Sequence, residues 1–153
     1  MKTVVPAEQL VEYVGKELGH SDWFTIDQDR IDQFADVTRD HQFIHVDQDR
    51  ARQGPFGDTI AHGFLTLSML THLTESCGLL PENTVIGINY GFDKVRFLNP
   101  VLVNKRVRAR VKPMSVTEKN PGQWLMKSEI TVEIEGEDKP ALVAEWLALM
   151  FAQ

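Results

Sequence analysis

Asp40 and His45 stand five residues apart in Thr38-Arg39-Asp40-His41-Gln42-Phe43-Ile44-His45. The stretch Gly54-Pro55-Phe56-Gly57-Asp58-Thr59-Ile60-Ala61-His62-Gly63 follows and leads into an apolar run. A carboxylate and an imidazole are suited to general acid–base chemistry if their side chains converge. Five residues rotate a side chain by about 140° around an α-helix, so convergence requires the chain to leave the helix between the two. Residues 41 to 44 are therefore predicted to turn. The second stretch supplies glycine flexibility and then a helix start, where unpaired backbone N–H groups suit a developing negative charge. Together the two stretches describe an acid/base pair facing an oxyanion site.

The flanking elements must hold that pair. Leu10, Val11 and Val14 have helical spacing between Pro6 and Lys16, which predicts a short amphipathic helix, and Trp23-Phe24-Thr25-Ile26 reads as a short strand. Asp27 is placed to cap a helix with Ile31, Phe34, Ala35 and Val37 on one side, delivering the chain to Asp40. Asp47 caps a further helical turn through Arg52, and Gly54-Pro55-Phe56-Gly57 breaks it. From about His62 to Ser76 the chain is apolar on nearly every side, which predicts a buried helix. Four β-rich runs follow, at 85–97, 105–116, 123–135 and 141–151, with turns at Asn120-Pro121-Gly122 and Glu135-Gly136-Glu137-Asp138. In Arg106-Val107-Arg108-Ala109-Arg110-Val111-Lys112 basic and small apolar residues alternate, the period-2 pattern of a half-buried strand. Helices first and meandering strands after imply an α+β domain whose sheet wraps the buried helix and whose free edges favour pairing with a second copy.

Composition narrows the class further. With 153 residues, 42% hydrophobic and 25% charged, the expectation is one domain spanning 1–153 with a real core. A net charge of -6 argues against nucleic acid as partner and favours small molecules or protein. The single cysteine, Cys77, excludes an internal disulfide framework and reads as a small core hydrophobe. Met1–Pro6 lacks the apolar core of a signal peptide, and the most apolar helix is too short and hydroxyl-rich for a bilayer, so the expectation is a cytoplasmic protein with no membrane partner.

On these residues the sequence resembles the MaoC-like dehydratases, the R-specific enoyl-CoA hydratase group of the hot-dog fold superfamily. The resemblance covers most of the chain. It is carried by Phe34-Ala35-Asp36-Val37-Thr38-Arg39-Asp40, by Ile44-His45-Val46-Asp47, and by Phe56-Gly57-Asp58-Thr59-Ile60-Ala61-His62-Gly63-Phe64-Leu65-Thr66-Leu67-Ser68. It implies a single hot-dog domain, a curved antiparallel sheet wrapped around a long central apolar helix, pairing edge to edge as a homodimer. It makes Asp40 and His45 the pair that holds and activates water, the backbone N–H of Gly63 the oxyanion donor and Ser68 a supporting residue. His62 is expected to hydrogen-bond around the site. The family often carries glycine where Arg39 stands and Asn-Pro where Gln42-Phe43 stand.

The activity implied is reversible hydration of trans-2-enoyl thioesters, on coenzyme A or an acyl carrier protein, to (3R)-3-hydroxyacyl thioesters. A base takes a proton from water as its oxygen attacks C3, and an acid delivers a proton to C2. No metal or organic cofactor is expected, because the thioester already acidifies C2; His41 with His45 is too weak a signature to assign a metal. Lys94 and Arg96 are candidates to meet coenzyme A phosphates, whereas the Arg106, Arg108, Arg110 and Lys112 stripe reads most simply as a solvated strand face. Two alternatives remain on this scaffold: an acyl-CoA thioesterase and a non-catalytic thioester-binding module. The Asp-x4-His spacing favours hydration over hydrolysis, and a matched acid/base pair is superfluous in a pure binder.

Overall fold

The computed structural model describes residues 2–153 and places the helices ahead of the long strands. In chain order the elements are β1 (Thr3–Val5), a 3-10 helix (Ala7–Tyr13), β2 (Phe24–Thr25), α1 (Gln28–Thr38), α2 (Phe43–Val46), α3 (Gln48–Arg52), α4 (Gly63–Ser68), α5 (Leu70–Thr74), β3 (Leu79–Pro81), β4 (Thr84–Phe97), β5 (Arg106–Asn120), β6 (Gln123–Ile134) and β7 (Leu142–Ala152). Five strands form one antiparallel sheet in the order β2-β5-β6-β7-β4, and β1 and β3 make a separate parallel pair that the sequence pattern did not announce.

Alternation decides which face of the sheet is inside. Val107, Ala109 and Val111 of β5 face Ile134, Val132 and Ile130 of β6, and Val132 and Ile130 in turn face Leu142 and Ala144 of β7. All eight are buried, and Ile31, Leu65, Leu70, Leu73 and Cys77 pack against them from the helical side. Arg106, Arg108 and Arg110 of β5 point outward into ion pairs: Arg106 with Glu135, Arg108 with Glu133 and Arg110 with both Glu17 and Glu133. Register shifts at Asn89/Gly91, Phe92/Lys94 and Pro113/Ser115 insert bulges, which increase local twist and curl the sheet over the helices. This α+β architecture agrees with the curved antiparallel sheet over a helical layer expected from the sequence.

The helical layer departs from expectation in four respects. The run after His62 is two short helices, not one long one, joined through Met69, whose N–H bonds Leu65 O and whose carbonyl accepts from Leu73 N–H. Hydroxyls compete for carbonyls on both sides of the joint, Ser68 Oγ–H donating to Phe64 O and Thr71 Oγ1–H to Ser68 O, a pattern that bends helices. Nor is this segment enclosed on every side. Leu65, Thr66, Leu70 and Leu73 are buried, but Phe64 is 68% exposed, because the open sheet covers only one flank. The N-terminal amphipathic segment is a 3-10 helix whose buried residue is Leu10, and Val37 of α1 lies outside the apolar face assigned to it. Among the described residues no helix is long and apolar enough to cross a membrane.

Candidate active site

Asp27 starts α1 by accepting the Arg30 N–H at 2.9 Å, and Arg39 ends it in the left-handed region at φ 64°, ψ 20°. That reversal throws Asp40 out of the helical path. The carboxylate of Asp40 is exposed, and its Oδ1 accepts the Gln42 N–H at 3.3 Å. The predicted turn is confined to the residues before Phe43. From there the chain winds into α2, a single helical turn that carries His45 inward to a buried position. Phe43 lies beneath the Arg50 guanidinium, 4.0 Å from its ring centroid.

His45 is held at both ends. Its Nδ1–H donates to the Ile60 carbonyl at 2.7 Å, while Ile60 N–H returns a bond to Ile44 O at 2.9 Å, so Nε2 is the ring's open nitrogen. The His45 carbonyl accepts from Gln28 Nε2 at 2.7 Å. Gln28 is a hub that the sequence did not disclose: its amide also donates to Asp32 Oδ1 and accepts from the Thr59 hydroxyl and Gln48 Nε2. In the sequence Gln28 looks like any polar residue of a first helical turn. Only the fold shows that it ties together the start of α1, the His45 turn and the strand-like segment before α4.

His62 completes the group. Its ring stacks on His45 with centroids 3.8 Å apart and planes 23° from parallel, and its Nε2–H donates to the Asp40 carbonyl at 2.9 Å. Burial pushes the pKa of His45 below its ordinary value; the His62 ring adds to this, while the Ile60 hydrogen bond and the Asp40 carboxylate oppose it. His45 is thus biased toward the neutral imidazole that a general base requires. Asp40, His45 and His62 also offer three ligand atoms within 4.8 Å of one another. Stacked rings send their in-plane lone pairs side by side, a poor arrangement for converging on one ion. His41 stands apart from this group, its Nε2 on Asp36 Oδ1 at 2.8 Å on the surface.

Gly63 opens α4, where its N–H lacks an intrahelical acceptor. A Cβ there would sit 3.0 to 3.2 Å from the Phe97 ring, close enough that the ring would have to yield by a few tenths of an ångström. His45 and Gly63 line the same pocket of about 270 Å3, together with Phe56, Ile60, Thr66 and Phe97. Ser68 does not join these contacts, its hydroxyl being committed to Phe64 O on an exposed part of α4. Lys94 and Arg96 alternate with Val95, which packs on the core, and Phe97, which covers Gly63. The two basic side chains therefore lie on the far face of the sheet, and the structure does not bring them to the Asp40–His45 group.

Residues 9–137 match the family described as MaoC like domain. The chain is 47% identical over 138 residues to a nodulation protein N of Rhizobium leguminosarum bv. viciae, covering 90% of this chain and 86% of that one. It is 46% identical over 145 residues to 3-hydroxyacyl-thioester dehydratase Z of Mycobacterium tuberculosis, covering 95% of each. In three dimensions it resembles the (R)-hydratase of A. caviae with a TM-score of 0.71 at 22% identity, over 88% of this chain and 94% of that one. The curled five-stranded sheet, the buried histidine turn and these relationships agree: the chain belongs to the MaoC-like dehydratases, lyases built on the hot-dog fold.

Proposed function

We propose that this protein reversibly hydrates trans-2-enoyl thioesters to (3R)-3-hydroxyacyl thioesters, with Asp40 and His45 as the acid/base pair and Gly63 N–H as donor to the thioester oxygen. The observation that carries this reading is the pocket shared by His45 and Gly63. A base with an open Nε2 and an unpaired backbone donor border the same space, while the Asp40 carboxylate lies at the neighbouring turn. Water held between Asp40 and His45 loses a proton to one of them as its oxygen bonds to C3. The C2=C3 electrons shift toward the thioester, whose oxygen takes the negative charge, and a proton returned to C2 completes the addition. Each positioned acid or base contributes about 10²–10⁴-fold, and one preorganised oxyanion donor about 10²–10³-fold. The thioester acidifies C2 without a metal or organic cofactor.

The (3R) outcome and the thioester class follow the resemblance to R-specific hydratases and the dehydratase relative that matches along 95% of both chains. The substrate carrier is coenzyme A or an acyl carrier protein. The working form is a homodimer joined along β4, an edge strand with Val85, Ile86, Ile88 and Tyr90 exposed, and the acidic charge and single buried cysteine suit a reducing cytoplasm. The test is loss of enoyl absorbance across a series of enoyl-CoA chain lengths, beside a thiol-release control. Hydration without free thiol is expected. Thiol release would make the protein a thioesterase, and no turnover at high enzyme would leave it a binding module.

A further inference from the structure

We propose that His62 is the positioning residue of this site, one side chain that fixes the His45 imidazole and the Asp40 backbone relative to each other; the proposal rests on the hydratase reading for its catalytic consequence. Asp40 and His45 reach the site from separate turns, and Asp40 follows a residue in a left-handed conformation with its own side chain in solvent. What ties the Asp40 turn to the interior is the His62 Nε2–H bond to its carbonyl. What backs the His45 ring is the parallel face of His62, which Phe34 of α1 also contacts, with centroids 5.1 Å apart. His62 is itself buried and immediately precedes Gly63, so its own position is set by the start of α4.

The residue type supports this assignment. Nδ1 of His62 is buried without a hydrogen-bond partner among the described residues, an arrangement with a desolvation cost that a purely structural position would be expected to avoid. Phenylalanine would stack without the cost but could not hold the Asp40 carbonyl. Glutamine could hold the carbonyl but offers no ring to His45. Imidazole does both in one volume. It also adds to the influences that keep His45 neutral, against the opposing pull of Asp40 at the end of α1.

The two links separate in two variants, His62→Phe and His62→Gln, measured for kcat and KM in enoyl-CoA hydration and for melting temperature. Misplacement by about 1 Å costs up to about a hundredfold, so kcat is expected to fall by about 10- to 100-fold in each, with KM changed by less than about threefold. A kcat within threefold of wild type in either folded variant overturns the proposal, even if its melting temperature drops. Histidine 15N spectra in the absence of substrate keep this test apart from that of the hydratase reading. If wild-type protein turns over no thioester, the hydratase reading fails on its own, and positioning is judged from His45, whose titration midpoint is expected to rise in His62→Gln. An unmoved midpoint overturns it. Should both variants fail to fold, wild-type spectra decide: His45 protonated on Nδ1 and His62 on Nε2 at neutral pH support the arrangement, and any other pair of tautomers overturns it.

Discussion

His45 enters the pocket as a buried imidazole with one nitrogen spent on a carbonyl and the other free, and both facts have measurable consequences. Its pKa lies below the 6.5 of an ordinary histidine, chiefly through burial. The unfolded chain therefore takes up a proton before the folded one does, so the contribution of His45 to stability is complete above about pH 6.5 and is lost as pH falls toward the lowered value. Urea midpoints are expected to decline from pH 7.5 to 5.5, and His45→Gln should flatten part of that decline. Asp40 is the converse case, an exposed carboxylate whose only hydrogen bond among the described residues is with the Gln42 N–H. Asparagine can accept that same bond. Asp40→Asn is expected to reduce kcat/KM for hydration by about 10²–10⁴-fold while the melting temperature stays nearly constant; retained activity would remove Asp40 from the acid/base pair. Both residues could be singled out from type and spacing, whereas Gln28 could not, because its four partners come from segments up to 31 residues away and no local pattern marks it.

Among the elements, the end of α1 sets the geometry of everything downstream. Arg39 occupies a left-handed position that favours glycine, at a cost of about 1 kcal/mol for a residue with a Cβ. Glycine is what the family often carries there. Arg39→Gly is expected to raise stability by about 0.5–1 kcal/mol in chemical denaturation, and a loss would mean that the arginine side chain contributes more than its backbone strain removes. The caps at Asp27 and Asp47 and the strand alternation of β5 were legible because capping and period-2 burial are local rules. The break at Met69 was not. It depends on which carbonyls the neighbouring hydroxyls reach, and apolarity alone cannot distinguish one long helix from two short ones.

For the whole molecule the decisive feature is the unequal fate of the two sheet edges. β2 is a two-residue strand, but β4 runs from Thr84 to Phe97 with one neighbour, β7, and a row of exposed apolar side chains. Phe64 of α4 adds to that exposed apolar surface. Long apolar edges invite pairing, and a second copy supplies a matching edge. Light scattering after size exclusion is expected to give the mass of a dimer, and Ile88→Lys to shift it toward the monomer without loss of β-structure. A monomeric wild type would leave the edge to another partner.

The order of residues was sufficient to single out Asp40 and His45 as the candidate acid/base pair, and to mark the helix start at Gly63 and the alternating strands, because each depends on residue type and short spacing. The family resemblance rests on the same local signals. Three features emerged only when the chain was folded: Gln28 as the anchor of the His45 carbonyl, the Phe97 ring packed close over Gly63, and the placement of Lys94 and Arg96 on the far face of the sheet. Each is a contact, or the absence of one, between segments far apart in the chain, set by how the sheet curls and where its bulges fall. Residue type and spacing thus single out Asp40 and His45, whereas the contacts that His62 and Gln28 make with their backbone and ring are set by three-dimensional packing.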